Sequence, residues 1–290
     1  MANHQNEELR YSRIYKLLEW KRYNEALTEA RALISEAPDD PNAYAVLAQV
    51  SLRMEQYKDA EHWSGEALRR DPESRIGWFV RSVTKYEMSD WKSLDASLDE
   101  AQRIDPEEPF YCFLRANAMN RRSQFAGAKE QLLTALALDP DNPLFMATLS
   151  YTEALLGNTE SSRELARKAL GLEVESDHVY LYLGWAAEHR NDYDEHLEML
   201  SNAIKLDPSN KQIREEYLDA LQKNYALYRL FLAPVKWFQR MKPWQILLIW
   251  IGIAIVFRPF IFIFLILYVA THWITKLLVH IKVFGWRRRM

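Results

Sequence analysis

Few residues in this 290-residue chain offer reactive chemistry, and none of them forms a catalytic set. The single cysteine, Cys112, lies in an apolar stretch with no activating helix terminus evident around it, so it reads as a buried structural thiol. One cysteine cannot close a disulfide within the chain, which fits a reducing compartment. His178, His189 and His196 fall within one short region, but gaps of 11 and 7 residues scatter them over a helical hairpin. They read as surface or groove histidines rather than as a metal site. The acid pairs Asp39-Asp40 and Glu107-Glu108 read as solvated helix starts, where a carboxylate meets the positive end of the helix dipole. Only eight glycines are present, with no phosphate-binding loop, no paired cysteines and no Ser/His/Asp constellation. Catalytic residues, metal ligands and a cofactor site are therefore not expected, and neither is an enzyme.

The elements carrying these residues recur at an interval of 34. A proline after an acidic or small residue marks the interval at Pro38, Pro72, Pro106, Pro140 and Pro208, with Val174 in the remaining place. Ten residues later a first helix, A, has a small side chain: Ala48, Ser82, Ala116, Ser150 and Gly184, with Ile14 in the first copy. A second helix, B, opens near an aromatic at Tyr23, Tyr57, Trp91, Phe125 and Tyr193, replaced by Thr159 in the fifth copy. Its second half carries Ala67, Ala101, Ala135, Ala169 and Ala203. Small residues allow close helix approach, the aromatic fills the wedge between hairpins, and proline ends helix B. No long stretch alternates with a period of two, so strands are not expected. A period of this length means stacked copies of one helical hairpin.

The pattern resembles the tetratricopeptide repeat family over roughly residues 7–210. Copy two is the cleanest, with Tyr44, Leu47, Ala48, Tyr57, Ala60, Ala67 and Pro72 in the family's places. Copy five departs most, through Thr159, Ser162 and Val174, and in copy six His196 takes helix B's usual alanine place. The resemblance implies an all-α, right-handed superhelical solenoid of about six helix-turn-helix repeats in residues 1–210. It also implies a concave groove lined by the A helices. Carrying the groove positions across gives Phe79, Val80, Val83 and Tyr86, then Phe110, Phe113, Leu114, Asn117 and Arg121, then Tyr151, Tyr182 and Trp185. Members that grip acidic chaperone tails use lysine, asparagine and arginine at places held here by Tyr11, Tyr15, Val46, Ile76 and Val80, so that clamp is not expected. The lining can pack between neighbouring hairpins, be filled by the chain's own tail or N-terminus, or receive a partner's helix or extended segment with Asn117 and Arg121 facing its carbonyls or carboxylate.

Residues 211–236 read as a capping helix and joint, with Ile213, Tyr217, Leu218, Leu221, Tyr225 and Tyr228 at helical spacing and Leu232 to Lys236 as the joint. Beyond them the character changes. Residues 237–290 contain no acid and eight of the 37 basic residues, so the first 236 residues carry about −11. That balance disfavours nucleic acid as a partner. Two uncharged apolar runs, 244–257 and 260–275, flank Arg258-Pro259, and Trp237, Trp244, Trp273 and Trp286 punctuate them like an interfacial belt. One helix over 244–275 would be about 48 Å long and would bury Arg258 in a core of roughly 30 Å. Basic residues on both flanks favour a membrane hairpin with both ends cytoplasmic, marked by Trp244, Phe257, Arg258, Pro259, Phe260 and Trp273. A single span with one amphipathic surface helix is the alternative. The polar N-terminus has no apolar core of a secretory signal, so the repeats are expected on the cytoplasmic side. The expected function is a membrane-anchored adaptor holding a protein partner at the cytoplasmic face, without a cofactor, in contact with lipid and with membrane-protein subunits. A self-associating scaffold is the competing reading.

Overall fold

The computed structural model describes residues 2–172, 174–223 and 266–278, with side chains placed from residue 8 onward. Thirteen helices run through residues 2–223: α1 (Ala2–Glu19), α2 (Tyr23–Glu36), α3 (Pro41–Arg53), α4 (Tyr57–Arg70), α5 (Arg75–Glu87), α6 (Trp91–Ile104), α7 (Pro109–Arg121), α8 (Phe125–Leu138), α9 (Pro143–Leu155), α10 (Thr159–Leu170), α11 (Asp177–His189), α12 (Tyr193–Leu206) and α13 (Lys211–Lys223). One further helix covers residues 266–278, and the described residues contain no strand. The chain divides into two compact units, Met1–Phe145 and Met146–Met290.

The small positions set the packing. Ala48, Ser82, Ala116 and Ser150 on A helices, and Ala67, Ala101, Ala135, Ala169 and Ala203 on B helices, are all inaccessible to solvent. Within the first unit α2 packs on α3, α4 on α5 and α6 on α7, and within the second α10 packs on α11 and α12 on α13. Between the first two hairpins Ile14, Leu17, Ala26, Ala30, Leu33, Ala43, Val46, Leu47 and Val50 form one apolar core. Facing positions compensate one another in volume: Ile14 shares this core with Ala26, and His196 lies against Gly184. A Cβ added at Gly184 would lie 3.2 Å from two side-chain carbons of Leu200, so any larger residue there requires Leu200 to shift by a few tenths of an ångström.

Each A helix ends in a reversal built from backbone. Lys21, Glu55, Ser89, Ser123, Gly157 and Asn191, spaced 34 apart, all have positive φ between 56° and 83°. At each, the residue's own N–H bonds three residues back and the next N–H bonds five residues back, as in Ser89 N to Tyr86 O and Asp90 N to Lys85 O. That is the Schellman motif, which satisfies the last carbonyls of a helix. Helix starts are capped by side chains. Asp40, Ser74, Glu108, Asn142 and Asn210 accept from backbone N–H groups of α3, α5, α7, α9 and α13, each worth about 1 kcal/mol. Asp40 and Glu108 thus occupy the helix-start role read from their acid pairs.

In the fifth repeat, α10 is shortened to 12 residues, where α2, α4, α6, α8 and α12 each have 14. Missing the proline and the aromatic, its hairpin is closed by polar contacts described below. Packed on α12, α13 buries Ile213 and Ala220 in a cluster with Leu181, Leu200 and Ala203. The rest of the joint, the run 244–257, and Trp244, Phe257, Arg258, Pro259 and Phe260 lie outside the described residues, as do residues 260–265 of the second run. Among the described residues no helix is long and apolar enough to cross a membrane. Helix 266–278, about 20 Å long, exposes Ile266, Leu267, Tyr268, Val269, Trp273, Ile274, Leu277 and Leu278.

Candidate functional site

On the A helices of the first unit the lining positions form a run of phenyl rings. Phe79 of α5 lies 5.7 Å from Phe110 of α7, Phe110 lies 5.0 Å from Phe113, and Phe113 lies 5.7 Å from Phe145. Phe110 and Phe113 meet because residues three apart share a helix face. Phe79 and Phe113 occupy equivalent repeat positions, so stacking of hairpins brings them to the same row. Not all of this lining is open. Phe113, Leu114 and Asn117 are buried, whereas Phe79, Val83, Tyr86 and Phe110 are part-exposed and Arg121 is exposed. Val80 is also fully buried. Asn117, expected to serve a partner's backbone, donates its amide to Phe113 O at 3.0 Å within its own helix.

Arg121 has a different neighbour from the one the sequence suggested. Its guanidinium stands 5.1 Å over the Trp91 ring, and Tyr86 meets the same indole edge-on at 5.7 Å. Trp91 was read only as a wedge between hairpins; it also braces the mouth of the lining through a cation–π contact. Behind the phenyl rings Tyr111 is buried 6.2 Å from Phe79. Burial, reinforced by Asp105 and Glu108, pushes its phenol above the ordinary tyrosine range, so it stays protonated at neutral pH.

The second unit has its own aromatic cluster around Tyr151. Tyr182, Trp185 and His189 of α11 lie 6.3, 5.7 and 5.6 Å from it, and Tyr182 meets Trp185 edge-on at 5.2 Å. Tyr182 is buried, Tyr151 and Trp185 are part-exposed, and His189 is exposed. His189 therefore joins the lining as an aromatic, a role its spacing to other histidines did not reveal. The other two histidines go elsewhere. His178 pairs with the neighbouring Asp177 at 2.9 Å, and His196 is buried with Nδ1 2.7 Å from Gly184 O. Among the described residues no three His, Cys, Asp or Glu side chains could hold a metal ion.

Polar side chains are buried where the repeat pattern fails. Ser150 and Ser162 each donate to the other's backbone carbonyl at 2.7 Å. Arg190, whose side chain is 0% exposed, donates to Ser162 Oγ and to Glu195 Oε1, both at 2.6 Å. Among the described residues no imidazole or carboxylate bonds either serine, and the cluster ties α9, α10 and α11 together. In the first unit Lys85 is buried between Glu61 and Asp90. Burial pulls its pKa down, but the two carboxylates outweigh burial and leave it raised. The Cys112 thiol is buried beside Gln102 at 3.4 Å, and burial pushes its pKa up.

The described residues form stacked helical hairpins with aromatic side chains along their A helices. A tetratricopeptide repeat family model matches residues 17–77. In the crystal structure of the APC/C hetero-tetramer Cut9-Hcn1, one chain matches with a TM-score of 0.63 at 14% identity, over 73% of this chain and 42% of that one. A tetratricopeptide repeat protein from Parabacteroides merdae ATCC 43184 matches with a TM-score of 0.61 at 12% identity, over 74% of this chain and 84% of that one. PilW, a widely conserved type IV pilus biogenesis factor, matches with a TM-score of 0.59 at 17% identity, over 73% of this chain and 98% of its own. The chain thus spans less than half the length of the Cut9-Hcn1 chain it matches. No curated protein sequence matches it. The shared feature is the all-α tetratricopeptide-type fold.

Proposed function

We propose that this protein is a membrane-anchored adaptor that captures a protein partner on the part-exposed aromatics of its A helices. The observation that carries the anchor is helix 266–278, which turns eight large apolar side chains outward. Thr271, His272, Thr275 and Lys276 share the other side of this helix, and so large an exposed apolar face calls for lipid or protein against it. Around it the sequence from residue 237 onward is free of acid and rich in tryptophan, which suits a bilayer interface. Capture is supported by Phe79, Tyr86 and Phe110 in one unit and Tyr151 and Trp185 in the other, each part-exposed. Aromatic anchors of this kind dominate interface energetics. The partner side of the reading fits a peptide or a helix, and membrane-protein subunits can also pack on the apolar tail.

Two measurements test the two halves separately. Liposome flotation should carry the full chain to the lipid layer and leave a chain ending at residue 236 at the bottom. Equal flotation of both would remove the anchor. Phe110→Ala and Trp185→Ala should each weaken partner capture about tenfold, whereas Leu133→Ala, on an exposed B-helix position, should not. Capture unchanged by both lining variants would end the adaptor reading.

A further inference from the structure

The two sides of helix 266–278 are not alike. Ile266, Trp273, Ile274 and Leu277 are between 53% and 67% exposed, whereas Thr275 is 1% exposed and Thr271 and His272 are half-buried. At about 100° per residue, an apolar arc of about 180° runs from Val269 through Ile266 to Leu278. Thr271, Thr275, Tyr268, His272 and Lys276 fill the other side. A helix on the surface of a protein in water is buried the other way, apolar side in and polar side out. The Thr275 hydroxyl makes no demand on its cover, because it donates to Thr271 O at 2.6 Å within the helix, as polar groups away from water must.

Width and charge select what meets the apolar side. A helix seated on one protein surface needs a stripe of about 100°, and an arc of about 180° suits a fluid that wraps around it. A second copy would lay one acid-free tail, with eight basic residues, against another, which electrostatic complementarity opposes. Lys276 is exposed with Nζ 5.9 Å from the centre of the Trp273 ring, and lysine and tryptophan are the side chains that settle at headgroup level. Lying flat in that interface, the helix would set Thr271, His272 and Thr275 in water, against their burial. Upright, with Lys276 among the headgroups, its length carries Ile266 about 15 Å deeper, to the middle of a core of roughly 30 Å. We propose that helix 266–278 stands upright in one leaflet, with its Ile266, Ile274 and Leu277 side against lipid acyl chains and its threonine side against the protein. This assignment rests on the anchor reading above and adds to it which side meets lipid and at what depth.

The test uses the full chain in phosphatidylcholine vesicles whose acyl chains carry bromine at chosen depths. Cys112 is buried, so a thiol introduced by Ile266→Cys, Ile274→Cys, Leu277→Cys or Thr271→Cys takes an environment-sensitive fluorophore alone. The first three fall on exposed side chains, and Thr271→Cys nearly keeps the side chain's size. Bromine should quench the labels at 266, 274 and 277, with depths at 266 and 277 that differ by about 16 Å, and the label at 271 should lose little light. Equal depths at 266 and 277 would mean a flat helix and overturn the proposal. Labels at 274 and 277 left unquenched in vesicles that float the protein would overturn it too, since a partner protein or a second copy would then cover that side. Quenching at 271 as strong as at 274 would remove the protein-facing side. Those three outcomes leave the anchor standing, whereas a full chain that does not float with the vesicles ends the anchor reading and this assignment together.

Discussion

Substituting single residues at the hairpin tips separates backbone strain from packing, because each tip has the same geometry with a different side chain. Gly157 has φ +83° and nothing within 4 Å of where a Cβ would sit. Gly157→Ala therefore meets no clash and pays only for the left-handed backbone, about 1–2 kcal/mol, offset by roughly 0.4–1 kcal/mol of lost freedom in the unfolded chain. A net loss of about 0.5–1 kcal/mol is expected. Ser89, at φ 57°, is the mirror case, and Ser89→Gly should gain about 0.5–1 kcal/mol. Gly65 lies inside α4, and its added Cβ would stand 3.7 Å from the end of Arg81, an ordinary contact. Gly65→Ala should therefore stabilise by about 0.5–1 kcal/mol through helix propensity. Urea unfolding followed by circular dichroism resolves these effects, since a change of 1 kcal/mol moves the midpoint by roughly 0.3–1 M. The reasoning fails if Gly157→Ala raises the midpoint or if Ser89→Gly lowers it.

Three further outcomes follow from the buried polar groups. Arg190 is fully buried and Glu195 is 26% exposed, so Glu195→Ala, which strands the guanidinium, should cost about 3 kcal/mol; Arg190→Met should cost less, because the carboxylate can regain water, and the opposite order in urea unfolding would refute this. The Cys112 thiol should stay unreactive towards a disulfide reagent at pH 8 until the protein is unfolded, and stoichiometric labelling of the native chain within seconds would contradict its burial. Lys85 has a raised pKa when folded, so its contribution is complete below the ordinary lysine value of about 10.4 and fades as pH climbs through the folded value. Asp90 has a lowered one, through Ser93 and then Lys85, and its contribution fades as pH falls below the ordinary aspartate value of about 3.9. Lys85→Met should flatten the alkaline limb of the stability profile, and an unchanged limb would show that Lys85 does not set it.

Helix pairing and its core were legible in the residues because small side chains and prolines recur at one spacing and the packing uses each copy alike. Ala48, Ala67 and Pro72 carry the same mechanical duty as their counterparts. The hairpin tips were not legible: five of six left-handed residues are not glycine, and lysine, glutamate, serine and asparagine give no common signal. Burial of Phe113, Leu114, Asn117 and Tyr182 was hidden for a different reason. Their positions face the inner surface in the repeat pattern, but neighbouring rings of Phe110, Phe145 and Trp185 crowd over or beside them. Arg190 and Lys85 were missed because their partners, Ser162, Glu195, Glu61 and Asp90, become visible only once hairpins are stacked. His196 did stand out, and Gly184 across the hairpin supplies its room and its hydrogen-bond acceptor.

The serine–arginine closure of the fifth repeat gives that part of the chain a distinct way of coming apart. A joint lined by alanine loosens gradually, since each lost contact is small and independent of the next. Here Ser150, Ser162, Arg190 and Glu195 hold one another, and releasing any one leaves a desolvated group behind. Deuterium uptake should accordingly show the amides of α10 and the end of α11 opening as a single latch, while the first unit frays layer by layer.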